Sequence, residues 1–337
     1  MAVNKILVMG PSWVGDMVLA QSLFKALRQQ DPEVIIDVAA PSWTLPLLER
    51  MPEVHQGIAL PFKHGQFALL ERIRFGRSLR KANYTQSIML TNSLKSAILP
   101  FAAGIPQRTG FLGEQRYGLL NDIRKLDKQL LPRTVDRFVA LAYPADHALL
   151  PGQLHEPKLV SNTANAASVL ETLGRSSPER PVLGLCPGAE YGEAKRWPSE
   201  YYAEVARHAL TSGWEVWLFG SDKDIPVTTA INHLTGHRCL DLGGKTRLGD
   251  AVDLMALCHT VISNDSGLMH VAAALDKNLI AIYGSSDPHH TPPMTSKAVI
   301  EYLGLSCSPC FQRTCPLGHL NCLKHIAPAN IITHFQK

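Results

Sequence analysis

No stretch of the 337 residues approaches the roughly 18 uncharged apolar residues of a membrane-spanning helix. No charged-then-apolar leader precedes the first strand pattern, so a cytoplasmic protein is expected. Seven cysteines are too few, and odd in number, for a disulfide scaffold, and they fit a reducing compartment. The basic stretch at 72–81 lacks the interleaved series of aromatic residues that a stacking platform requires, holding Phe75 alone, which argues against a nucleic-acid partner. Also missing is the dinucleotide fingerprint G-x-G-x-x-G. After the apolar run Ile6–Met9 the sequence reads GPSWVGD, where Gly10 is followed by Pro11 and Ser12 and the next glycine is Gly15. A nicotinamide dehydrogenase is disfavoured. There is no internal repeat, low-complexity tract or coiled-coil heptad.

What remains is a chain with 45% apolar and 18% charged residues, long enough for two cores. Ile6–Met9, the helical pattern MVLAQSLFKALRQQ and the run from Val34 to Ala39 make a β-α-β unit. A second series opens at PVLGLCPG and continues through EVWLFG, TVISND and LIAIYG. Between them, from about 150 to 181, proline-rich and polar ends flank one helical stretch. The expectation is α/β: two Rossmann-like domains with parallel sheets, over 1–160 and 181–337, with 161–180 as the connection.

In open α/β sheets ligands bind beyond the carboxyl ends of the strands. Gly10 and Gly15 allow a tight turn there, and Asp16 falls in the first turn of the next helix, where complementing the helix dipole competes with a functional role. The run TVISNDSGLMHVAAAL passes from a strand through Asp265, Ser266 and Gly267 into a helix, whose free amides make an anion site. In the competing explanation Asp265 or Ser266 is a helix cap, and a lone helical histidine such as His270 is more often structural. CPGAEYGEAKRWP places Gly188 at another strand-end turn, before Lys195 and Arg196. LGGKTRLGD contains a GKT triplet, but the P-loop pattern needs glycine where Cys239 stands, so a nucleotide triphosphatase is rejected.

Charge is uneven. Residues 1–160 hold 19 Lys and Arg against 13 Asp and Glu, and the remainder hold 14 against 16. The stretch RIRFGRSLRK (Arg72, Arg74, Arg77, Arg80, Lys81) reads either as a solvated helix face or as a surface for anionic lipid headgroups.

Taken in order, GPSWVGD, PGAEYGEAKRWP, LGGKTRLGD, SNDSGLMHVAAAL and IAIYGSSDP resemble the ADP-heptose:lipopolysaccharide heptosyltransferases, glycosyltransferase family 9, over nearly the whole chain. The C-terminal CSPCFQRTCPLGHLNC is also typical of that family. The resemblance is nearest to the subtype that adds the second heptose of the inner core. It implies a GT-B fold, with an N-terminal acceptor domain and a C-terminal sugar-nucleotide domain facing across a cleft. The implied donor is ADP-L-glycero-D-manno-heptose and the implied acceptor heptosyl-Kdo2-lipid A. An acceptor bearing carboxylates and phosphates suits the basic half. The enzyme would work at the cytoplasmic face of the inner membrane, peripherally, against an anionic surface.

The resemblance assigns roles to individual residues. Asp16 is similar to the family's catalytic base, and Lys195 to its phosphate-binding lysine. Gly188, Asp265, Ser266, Gly267 and His270 match positions that hold the sugar-nucleotide. Gly15, Lys95 and Arg116 are implied on the acceptor side. Family members invert the anomeric centre by direct displacement, so neither a covalent glycosyl-enzyme nor a cofactor or metal is expected. Asp222 or Asp224 could bind ribose hydroxyls, with surface turn charges an equal explanation. Cys307, Cys310, Cys315 and Cys322 have a C-x2-C-x4-C-x6-C spacing able to hold zinc or an iron–sulfur cluster, but the resemblance implies no metal. The alternatives are transfer of the first heptose to Kdo2-lipid A, a nucleotide-dependent oxidoreductase and a non-catalytic lipid-surface adaptor.

Overall fold

The computed structural model describes residues 3–62, 65–150 and 152–335. The chain divides into two compact units, Met1–Pro157 and Lys158–Lys337. The stretch 161–180 is therefore part of the second unit. Its helix Thr163–Thr172 is held there by Asn165, whose side-chain amide donates to Asp250 and Asp253 at 3.0 and 2.8 Å.

In the first unit six strands, β1 Lys5–Met9, β2 Ile35–Ala40, β3 Gln56–Ala59, β4 Gln86–Met89, β5 Gln107–Phe111 and β6 Asp122–Arg124, form a parallel sheet of order β3-β2-β1-β4-β5-β6. The second unit repeats the plan with β7 Val182–Cys186, β8 Glu215–Leu218, β9 Leu240–Asp241, β10 Thr260–Asn264, β11 Asn278–Ile282 and β12 Ala298–Glu301, all parallel in the order β12-β11-β10-β7-β8-β9. Both are doubly wound Rossmann sheets.

The central strands are apolar without alternation because helices cover both faces of such a sheet. Ile6, Leu7, Val8 and Met9 are all buried, as are Val261 and Ile262. In each sheet the strand order reverses once, between β1 and β4 in the first unit and between β7 and β10 in the second. Loops leaving two such neighbours on the same sheet edge diverge to opposite faces, which opens a crevice between them. The glycine-rich motifs follow β1, β7 and β10.

Candidate active site

In the second unit the loop after β7 carries Gly188 and Lys195, and the turn after β10 carries Asp265. Their strands are hydrogen-bonded neighbours, so the two loops meet. Lys195 Nζ lies 2.5 Å from Asp265 Oδ2, and the Ser286 hydroxyl, from the loop after β11, donates to the same oxygen. Asp265 and Ser286 are each 5% exposed.

Asn264, the last residue of β10, staples the two loops together. Its amide donates to Pro187 O at 2.7 Å, and its carbonyl accepts from Trp197 N and from the Tyr202 hydroxyl, each at 3.0 Å. A fully buried polar side chain whose groups are all used fixes loop positions strongly. Gly188 has a steric reason: a Cβ there would overlap the Asp224 carboxylate. That carboxylate is already engaged, accepting from Ser221 N at 2.9 Å and Ser221 Oγ at 2.8 Å. Asp222 instead stays exposed.

The helix Gly267–Ala274 begins right after Asp265 with Ser266 as its N-cap residue, yet no side chain caps it. The Ser266 hydroxyl faces Ser263 Oγ at 3.2 Å. The capping explanation fails here, and the first amides of the helix remain available to an anion. His270, in the first turn, is 5% exposed, and its Nδ1 has no partner among the described residues. Burial pushes its pKa down to about 4, with Asp265 opposing and Lys195 reinforcing the shift. At neutral pH it is an uncharged hydrogen-bonding group.

In the first unit Gly15 is buried and Asp16 half-buried in the first turn of the helix Val14–Gln30, where the N-cap residue Trp13 makes no side-chain cap. Lys95 is half-buried in the first turn of the helix Leu94–Ala102, which follows β4. Because β1 and β4 are adjacent, both residues stand at the switch point of this sheet.

Arg116 departs from the expectation of acceptor contact. It is fully buried, and its guanidinium donates to Thr91 O at 2.7 Å, Asn92 Oδ1 at 3.3 Å, Ser96 Oγ at 3.3 Å and Phe111 O. Thr91, Asn92 and Ser96 belong to the turn and first residues of the Lys95 helix and Phe111 ends β5, so Arg116 ties that turn to the neighbouring strand and spends its donors inside the unit.

The basic stretch is likewise mixed. Arg72 is buried over the Phe62 ring and donates to Phe67 O and Gln66 O at 2.7 and 3.1 Å. Arg74, Arg77, Arg80 and Lys81 are exposed. The GKT triplet follows a two-residue strand, and Lys245 donates to Asp241 O at 2.9 Å, as a turn residue would. All seven cysteines are free thiols, and no group of three or more His, Cys, Asp or Glu among the described residues stands in a metal-holding arrangement.

Sequence reasoning places Asn264 in the strand-end run without a role and does not single out Ser286, since a buried asparagine and one serine of a pair carry no spacing signal. Their roles exist only through partners at least 21 residues away.

Residues 72–321 match the family model of glycosyltransferase family 9 (heptosyltransferase). The chain is 49% identical over 304 residues to lipopolysaccharide heptosyltransferase 2 of Escherichia coli K12, covering 87% of this chain and 86% of that one. It is 47% identical over 306 residues to lipooligosaccharide heptosyltransferase 2 of Haemophilus influenzae, covering 88% and 87%. The solved structure of E. coli ADP-heptose lipopolysaccharide heptosyltransferase II superposes with a TM-score of 0.88 at 43% identity, over 98% of this chain and 97% of that one. An E. coli heptosyltransferase solved with ADP shares the fold at a TM-score of 0.70 and 19% identity. Two doubly wound sheets with a cation, an uncapped helix and a carboxylate at their switch points, on a chain so closely matched, place it in glycosyltransferase family 9, the heptosyltransferases.

Proposed function

We propose that the chain transfers L-glycero-D-manno-heptose from its ADP-activated form to the first heptose of the lipopolysaccharide inner core, with inversion at the anomeric carbon. The observation that carries this reading is the Lys195–Asp265 pair beside the uncapped N-terminus of Gly267–Ala274. A sugar diphosphate is anionic before transfer and gains charge as the glycosidic C–O bond breaks and ADP departs with the electron pair. Lys195 and the amides of Ser266 and Gly267 stabilise that charge as it develops. Neutral His270 supplies a hydrogen bond without competing for the anion. Asp222, whose carboxylate is exposed, is the better candidate of its pair for the ribose hydroxyls.

Asp16 is the base in this reading. Its carboxylate takes the proton of the acceptor hydroxyl as that oxygen bonds to the anomeric carbon. Gly15 keeps the backbone beside it slim, and Lys95 offers a charge for the anionic acceptor. Transfer of the second heptose rather than the first is supported by the relatives: 49% identity to a heptosyltransferase 2 against 24%, over 256 residues, to lipopolysaccharide heptosyltransferase 1 of Pseudomonas aeruginosa.

Such an acceptor is embedded in a bilayer, while no helix among the described residues is long and apolar enough to cross one. Leu70, Arg74, Arg77 and Lys81 share one face of the turns from Leu69 to Ala82 and are all exposed. That face suits peripheral attraction to the anionic cytoplasmic side of the inner membrane.

The test is ADP release from ADP-L-glycero-D-manno-heptose with either Kdo2-lipid A or its mono-heptosylated form. Release only with the mono-heptosylated acceptor is expected. Release only with Kdo2-lipid A would assign the first-heptose reaction, and release with neither would remove the proposal.

A further inference from the structure

The four-cysteine segment 307–322 has no part in the site as described so far, yet its backbone is tied to both loops that build it. The Tyr191 hydroxyl donates to Phe311 O at 2.6 Å, and Ala194 N donates to Arg313 O at 3.0 Å. A Cβ at Gly192 would overlap Arg313 O, so the glycine is what lets the two strands of chain touch. On the other side Phe311 N donates to Ser285 O at 2.7 Å, next to the Ser286 that holds Asp265. The segment thus bridges the Lys195 loop and the loop behind Asp265.

This anchoring sets one side chain, Arg313, against an aromatic ring that Lys195 also approaches. The Arg313 guanidinium carbon stands 5.3 Å from the centre of the Tyr191 ring, and Lys195 Nζ stands 5.0 Å from the same centre. Two cations share one aromatic ring. Their situations differ: Lys195 faces Asp265, whereas Arg313 is exposed and pairs with no carboxylate among the described residues. Lys195 shares its charge with the buried Asp265 carboxylate, so it meets only part of the charge of a diphosphate, and the departing ADP is more anionic still. A second, unspent cation meets that need. A guanidinium held on an aromatic ring is also preorganised for two-pronged contact with phosphate oxygens.

We propose that Arg313, seated on the same Tyr191 ring as Lys195, is a binding residue for the diphosphate of the sugar-nucleotide donor. The inference rests on the reading that the second unit holds ADP-heptose. It gives the cysteine-rich segment a task that uses its backbone path rather than its thiols: delivering an arginine to the loop after β7.

Calorimetric titration of the full chain with ADP and with adenosine tests it. Arg313→Ala is expected to weaken ADP binding at least ~10-fold, the loss of a charge-assisted hydrogen bond or more, while adenosine affinity stays unchanged. Arg313→Lys should recover part of the loss. Unchanged ADP affinity in Arg313→Ala would overturn the proposal. So would equal weakening of ADP and adenosine, which would mean that the side chain only shapes the loop. A wild-type chain that binds adenosine or ADP not at all would instead remove the donor-site reading itself, and this inference with it.

Discussion

Lys195 and Asp265, 70 residues apart in sequence, meet at 2.5 Å with the Ser286 hydroxyl on the same carboxylate oxygen. The pair is largely buried, so each partner neutralises a charge that the other would leave stranded. Removing the lysine alone strands Asp265. Lys195→Ala is expected to lower both ADP affinity and turnover and to cost roughly 1–3 kcal/mol of stability. Adding Asp265→Asn should return much of the stability without returning activity, a non-additivity that chemical denaturation of the two single variants and the double variant measures.

Asp16 lies in the other unit, and its contribution is separable from donor binding. Asp16→Asn is expected to leave ADP affinity near that of the wild type and to slow turnover by at least ~100-fold, as loss of a general base does. Titration with ADP beside a turnover assay checks both halves.

His270 makes stability depend on pH. Burial holds its folded pKa at about 4, against 6.5 for a free histidine. Between those values the unfolded chain binds more protons, so the folded state loses stability as pH falls through that window, by up to about 1.4 kcal/mol per pH unit. Above the window the group contributes no pH dependence, and below it the loss is complete. Thermal melts at pH 7 and pH 5 should show a smaller drop for His270→Gln than for the wild type.

Gly188 allows the loop after β7 to pass over the Asp224 carboxylate. In Gly188→Ala the methyl group must displace either that carboxylate, undoing its bonds to Ser221, or the loop carrying Lys195. The expected result is weaker ADP binding with a lowered melting temperature. ADP titration and a thermal melt of the same preparation report the two.

Lys95 and Arg116, paired by sequence as acceptor contacts, should separate experimentally. Lys95→Ala is expected to raise the acceptor KM with the melting temperature little changed. Arg116→Ala, which removes the donors to Thr91 O and Phe111 O inside the first unit, should lower the melting temperature first.

Much of this was legible in the order of residues. Apolar runs such as Ile6–Met9 and Val261–Ile262, with helices between them, can only pack as parallel sheets covered on both faces. The glycine turns marked the strand ends where ligands sit, and the GPSWVGD and SNDSGLMH motifs were specific enough to point to the family that the comparisons bear out.

Burial and partnership were not legible, because they depend on residues far away in sequence. Arg72 and Arg116 look like any surface arginine on paper, and only folding turns them inward onto backbone carbonyls. The 161–180 stretch reads as a linker until Asn165 finds Asp250 and Asp253. Sequence alone thus determined the α/β class, the place of the motifs at strand ends and the kinds of charge available. Tertiary structure decided which charges face each other, since strand order makes β7 and β10 neighbours and thereby sets Lys195 against Asp265, with Arg313 brought to the Tyr191 ring that Lys195 approaches by a segment more than a hundred residues after that lysine.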